Sequence, residues 1–212
     1  MTPTPSLADR LQAELLPTTD APAEAPRSTS DRILDAAVRR FAEVGVDATT
    51  MSSIAAEADL SREWLYRNFP NREAIVAAVV QRELRRFIDG LAVRATKNDD
   101  VVGALTDAFV YCVEFLRDQT FLGGVVDRDV RLASTDLRTH AGALVGVAVR
   151  SCAGYLVDLG GFDQPTATII AETLTRLVGS TVIAPSADLD LYDPSVLRDY
   201  AGRIVPAIVR GC

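Results

Sequence analysis

Residues 50–75 read TMSSIAAEADLSREWLYRNFPNREAI, and this stretch decides the fold. Thr50 is a good helix N-cap, and Ile54, Ala55 and Ala58 follow at helical spacing. Asp59 and Leu60 leave room only for a tight turn before Ser61, a second cap, opens a helix carrying Leu65 and Phe69. Pro70 stops that helix and Asn71 caps the next. Two short helices joined by a tight turn form a helix-turn-helix, and Ala55 and Ala58 are small enough to let them cross closely. Upstream, Ser30 can cap a helix with Ile33, Ala37 and Phe41 on one face, ending at Gly45. Ile33, Phe41, Ile54, Leu60, Leu65 and Phe69 supply a miniature core. Arg62, Glu63, Trp64, Arg67 and Asn68 are not needed to fill it. The helix start at Ser61 and Arg62, with free backbone N–H groups, suits a phosphate or a groove edge.

Outward from this head the signals stay helical. A long run follows Asn71 to about residue 95, with Ile75, Val79, Arg82 and Arg86 at helical spacing. Further helices are expected near 100–118, 125–132, 135–159, 165–183 and 194–209, with Pro165 and Pro194 suited to first turns. No stretch alternates with period two, so no sheet is expected. The fold class is all-α: an N-terminal three-helix DNA-binding domain and a C-terminal helical ligand-binding and dimerisation domain. The boundaries read from sequence are a flexible extension over 1–29, rich in Pro, Thr, Ala and Ser, the head over 30–75 and the body over 76–212. Within the extension, Leu7, Leu11 and Leu15 allow a short amphipathic helix before Pro17.

The blocks Ile33 to Gly45, Thr49-Thr50 with Ile54 to Ala58, and Leu60 to Ile75 together resemble the DNA-binding region of the tetracycline-repressor (TetR) family. Gly45, Thr50, Ala55, Tyr66, Phe69 and a basic residue at Arg72 stand in register. Four positions depart from the family pattern. Asp59 replaces the turn glycine, and Asp tolerates a left-handed backbone. Arg72 replaces a lysine, Asn68 a histidine, and the short Ser52 stands where a base-reading residue is common. The resemblance implies that Thr50, Tyr66, Asn68 and Arg72 bind phosphates. It implies that Arg62, Glu63 and Trp64 face base edges, with core packing as the other reading of Trp64. Ser52 and Ser61 complete the candidate DNA-binding set. For the body, the resemblance implies a homodimer through the last two helices. Ile169, Leu174, Leu177, Val178, Val182, Leu197, Tyr200, Ile204 and Ile208 are its candidate surface, with internal packing as the alternative. Phe87, Phe109, Cys112, Leu116, Phe121, Val126, His140, Leu144, Val147 and Tyr155 are candidates to line an effector pocket, or simply to fill the core. That apolar set favours a hydrophobic small molecule with few polar anchors. The expected function is a ligand-released repressor, dimeric on a near-palindromic double-stranded DNA operator. The alternative is a ligand-independent DNA-binding or protein-interaction protein of the same fold.

Composition narrows the classes. The net charge of −7 looks wrong for a DNA binder, but residues 27–90 hold ten Arg against ten Asp and Glu, so the acidity lies elsewhere. A neutral head makes for modest non-specific affinity and places the weight on individual contacts. One histidine, no glycine-rich phosphate loop and no nucleophile–base set argue against an enzyme, and no cofactor is expected. Three scattered cysteines with no CxxC fit reduced thiols rather than zinc. No run is long and apolar enough for a membrane span and no secretion signal opens the chain, so a cytoplasmic location is expected.

Overall fold

The computed structural model describes residues 29–95, 97–98, 100–118 and 135–212, with the backbone alone at 95 and over 135–144. Among these residues all regular structure is helical. The helices are α1 (Thr29–Val44), α2 (Met51–Glu57), α3 (Arg62–Asn68), α4 (Arg72–Ala95), α5 (Val101–Asp118), α6 (Thr135–Gly160), α7 (Gln164–Ile183) and α8 (Pro194–Gly211). The expected extension over 1–28 and the expected helix near 125–132 lie outside the described residues. None of the described helices is long and apolar enough to cross a membrane.

The chain divides into two compact units, with the boundary inside α4 between Arg85 and Arg86. In the head, residues 29–85, α1, α2, α3 and the first half of α4 enclose one apolar cluster. Ile33, Phe41, Ile54, Leu65, Ile75 and Val79 are its largest members, none more than 1% exposed. A seven-residue helix has little stability alone. Burial of a side chain such as Leu65, about 1.5–3 kcal/mol, therefore holds α3 in place. Local bonds set the helix ends. The Thr50 hydroxyl accepts from the Ser53 amide and the Ser53 hydroxyl accepts from the Thr50 amide, each at 3.1 Å, a reciprocal capping box. Ser61 Oγ accepts from Trp64 N at 3.2 Å, and Asn71 Oδ1 from Ala74 N at 2.8 Å.

The turn between α2 and α3 closes as a Schellman motif. Leu60 N donates to Ala55 O at 2.9 Å and Asp59 N to Ala56 O at 3.2 Å. Asp59 takes the left-handed position, φ 53°, and among the described residues it is the only non-glycine with positive φ.

The body comprises residues 86–118 and 135–212. Its core gathers Phe109 and Val113 of α5, Val149 and Leu156 of α6, Ile170 and Leu174 of α7, and Leu197 and Val205 of α8. Asp163 caps α7 through Thr166 N at 2.9 Å, and Asp193 caps α8 through Ser195 N at 2.7 Å. The second half of α4 meets α5 at an aromatic cluster. Tyr111 lies against Gly90, where an added Cβ would fall 2.0 Å from its hydroxyl oxygen. That hydroxyl donates to Arg86 O at 3.1 Å, the Phe87 ring stacks at 5.7 Å, and the Arg94 guanidinium sits 3.8 Å over the Tyr111 ring.

The turn generates a prediction. Asp59→Gly removes the side chain from a left-handed position and should raise stability by about 1 kcal/mol, a gain of roughly 2–4 °C in melting temperature for a chain of this size. Asp59→Val should lower it. A lower melting temperature for Asp59→Gly would show that the carboxylate contributes more than the strain it carries.

Candidate nucleic-acid interface

Burial of Leu65 turns the rest of α3 outward. Arg62, Glu63, Tyr66, Arg67 and Asn68 are exposed, Tyr66 by 51%. Arg62 has no ion-pair or hydrogen-bond partner among the described residues, whereas most of the other arginines of the head are engaged. Arg67 pairs with Glu63 at 3.3 Å, Arg39 with Glu57 at 2.7 Å and Arg40 with Glu43. Such exposed pairs contribute only about 0–1 kcal/mol each. Their consequence here is a neutralised flank beside an uncommitted Arg62 at the first turn of α3.

The other predicted contact residues divide by what they already do. Thr50 and Ser61 are exposed and act as caps, which aims the first amides of α2 and α3 outward. Ser52 is partly exposed on the first turn of α2. Asn68 spends its side-chain amide on Trp64 O at 2.8 Å. Trp64 is half-buried and packs against the head's core, so its ring is shared between that core and the surface. Arg72 donates to Asp47 O at 3.0 Å and Val46 O at 3.3 Å, tying the start of α4 to the loop after α1.

Several residues that the sequence did not mark as part of the site hold this geometry. Arg32 donates to Ala58 O at 2.8 Å at the end of α2. Arg82 bridges α4 to α1 through Asp35 at 2.8 Å and also meets Glu83 at 3.1 Å. Ser53 completes the capping box. Its spacing after Thr50 was the available signal; the arginine contacts, 26 and 47 residues apart, had none.

In the body, Phe109 is buried and packs toward Tyr200 of α8 at 6.2 Å between ring centres. Phe87 belongs to the aromatic cluster around Tyr111. Leu116 and Val147 are partly buried and Tyr155 is buried. Phe121 and Val126 lie outside the described residues, as do the side chains of His140 and Leu144. A cleft of about 300 Å³ opens elsewhere, beside Glu114, Arg117, Asp118, Tyr192, Pro194 and Leu197, and includes none of the candidate pocket residues. Arg117 there is already held by Leu191 O, Thr181 O and the Tyr192 ring. Of the candidate dimer residues, Leu174 and Leu197 are buried within the chain itself. Leu177, Val178, Val182, Tyr200, Ile204 and Ile208 pack only partly against that core, and Ile169 is 59% exposed. No group of three or more His, Cys, Asp or Glu among the described residues could hold a metal ion.

The sequence signature described as bacterial regulatory proteins, tetR family, matches residues 33–79, the span of α1 to α4 that builds this face. Over this span the chain is similar to the TetR family. It is 28% identical over 159 residues to an HTH-type transcriptional regulator of Mycobacterium tuberculosis, covering 75% of this chain and 77% of that one. It is 28% identical over 88 residues to the negative regulator of the biofilm operon icaADBC of Staphylococcus epidermidis, covering 42% of this chain and 45% of that one. Among solved structures, a fatty acid degradation regulator of Bacillus halodurans has the same fold, with TM-score 0.62 at 22% identity over 90% of this chain and 98% of that one. The chain is therefore a DNA-binding transcriptional regulator with an N-terminal helix-turn-helix.

The thiols of the regulator differ in reactivity. Burial pushes Cys112 up to about 12, with the nearby Cys152 adding to the rise and Arg94 opposing it. Burial likewise takes Cys152 to about 12. Both are neutral thiols at about pH 8, where only a thiolate reacts fast, while Cys212 is exposed. Iodoacetamide should modify Cys212 alone in the native protein and all three cysteines after unfolding, as read by intact mass. Native modification of Cys112 at a comparable rate would show that the body opens readily.

Proposed function

We propose that this regulator is a repressor that binds a near-palindromic operator as a homodimer and is released by a hydrophobic small molecule. The observation that carries the reading is the exposed face of α3, with Arg62 uncommitted and Tyr66 beside it. Arg62 suits the O6 and N7 edge of guanine, Glu63 the amino group of cytosine, and Thr50, Tyr66, Asn68 and Arg72 the flanking phosphates. The carbonyl contacts of Arg72 mean that it would hold the head together while it meets a phosphate. Two copies joined through the half-exposed faces of α7 and α8, Ile169, Leu177, Val178, Tyr200, Ile204 and Ile208 among them, would present two recognition helices to one face of the DNA. Repression is supported by the staphylococcal relative, named as a negative regulator. An effector is supported by a neighbour of the same fold, SmeT, solved as a triclosan complex, with TM-score 0.52 at 24% identity over 82% of this chain and 89% of that one. Release would be a population shift: the effector binds better to a state whose heads no longer match the half-site spacing.

Footprinting on the DNA upstream of the regulator's own gene, and on random DNA after selection, tests the reading. A protected palindrome is expected. An Arg62→Ala, Tyr66→Phe variant should weaken protection roughly tenfold or more, since one good base contact is worth about 1–3 kcal/mol. Sedimentation should give a dimer. Equal protection by the variant would remove α3 from the readout.

A further inference from the structure

Helix α6 is buried on two sides. Val149, Ala153 and Leu156 pack into the core with α7. At about 100° per residue, Ser151 and Tyr155 lie one turn apart on the opposite side, outside that cluster, yet they are only 1% and 6% exposed. The same stripe runs back through position 147. The Ser151 hydroxyl is enclosed and has no hydrogen-bond partner among the described residues. It does not even use the carbonyl one turn earlier, the common refuge of a serine inside a helix. A buried, unmade hydrogen bond of this kind costs about 1–3 kcal/mol. Such a group in a native protein needs an explanation, and a bound partner is one that the satisfaction of buried polar groups allows.

The surroundings restrict that partner. Asp100, just before α5, lies close enough to raise the Tyr155 hydroxyl together with burial, the larger cause, and Cys152. The Cys112 and Cys152 thiols stay neutral. Asp100 would repel a carboxylate, and Arg94, the cation that acts on Cys112, is already engaged by the Tyr111 ring and Gly90 O. Resting on the effector reading above, we infer that the Ser151 and Tyr155 face of α6 binds the effector. Ser151 donates to a single neutral oxygen, a hydroxyl or ketone, on an otherwise apolar molecule. Ser151 is then a specificity-determining residue and carboxylates are poor ligands.

The test uses the full chain with octanol and octanone as neutral probes and octanoate as the charged one, read by calorimetric titration, beside Ser151→Ala and Ser151→Thr. Without ligand, Ser151→Ala should melt at or above the temperature of the wild type, because it deletes an unpaired hydroxyl. The neutral probes should bind the wild type more tightly than octanoate does. Ser151→Ala should weaken them roughly three- to tenfold, and Ser151→Thr, which keeps the hydroxyl, should restore them. A clear loss of stability in Ser151→Ala would show that the hydroxyl is already satisfied and would overturn the inference. Equal binding of the neutral probes by wild type and Ser151→Ala, or tighter binding of octanoate, would overturn it while leaving an effector-binding body intact. Binding of none of the probes would overturn it too, and if operator-bound protein also ignored every apolar compound tried, the effector reading would fall with it.

Discussion

Everything on the recognition surface depends on the roll of one seven-residue helix about its axis. That roll is fixed by Leu65, which has no exposure and shares a cluster with Ile33, Phe41, Ile54 and Ile75. A rotation of α3 by one residue would exchange Leu65 for an aromatic neighbour, Trp64 or Tyr66, and take Arg62 off the outward side. The Schellman turn at Asp59 and the Ser61 cap set where α3 starts; Leu65 sets which way it faces. The two constraints are independent, one made of backbone bonds and the other of apolar burial, and they agree.

The charge pattern of the head follows from the same economy of space. A region with as many acids as arginines would be a poor magnet for DNA if its charges were scattered. Several of its arginines instead fasten the head: Arg32 to the end of α2, Arg72 to the loop after α1, Arg82 to Asp35. What remains for a partner is small in number and fixed in position. Such a surface gains little from general attraction to phosphate and much from correct placement.

Much of this was legible in the sequence because the relevant physics is local. Thr50, Ser61 and Asn71 announce their helices as caps, and each makes the expected bond within three residues. Asp59 was readable as the residue that could stand in for glycine, and it takes the left-handed conformation. The long-range arginine contacts were not readable, since a flexible side chain reaching across 25 to 47 residues of sequence leaves no periodic trace. Trp64 shows the limit of a face-by-face reading: at seven residues α3 is too short to keep a large ring wholly on one side, and the ring ends up shared. Leu174 and Leu197 carry the same pattern as their half-exposed neighbours, and only packing separates the inner from the outer row. Ser151 was invisible for a related reason. A serine among small residues in a long apolar helix looks neutral until the missing partner is seen.

The position of Trp64 also gives the molecule a built-in optical label. It is the only tryptophan in the chain, and it sits half-buried on the helix proposed to enter DNA. Tryptophan emission therefore reports on the head and is blind to the body, whereas far-ultraviolet dichroism is dominated by the longer helices α4 to α8. Followed side by side during heating, the two signals separate the melting of the head from that of the whole. Coincident transitions would mean that the two units fold as one cooperative block; an earlier loss of the tryptophan signal would mean that the head carries its own, smaller stability.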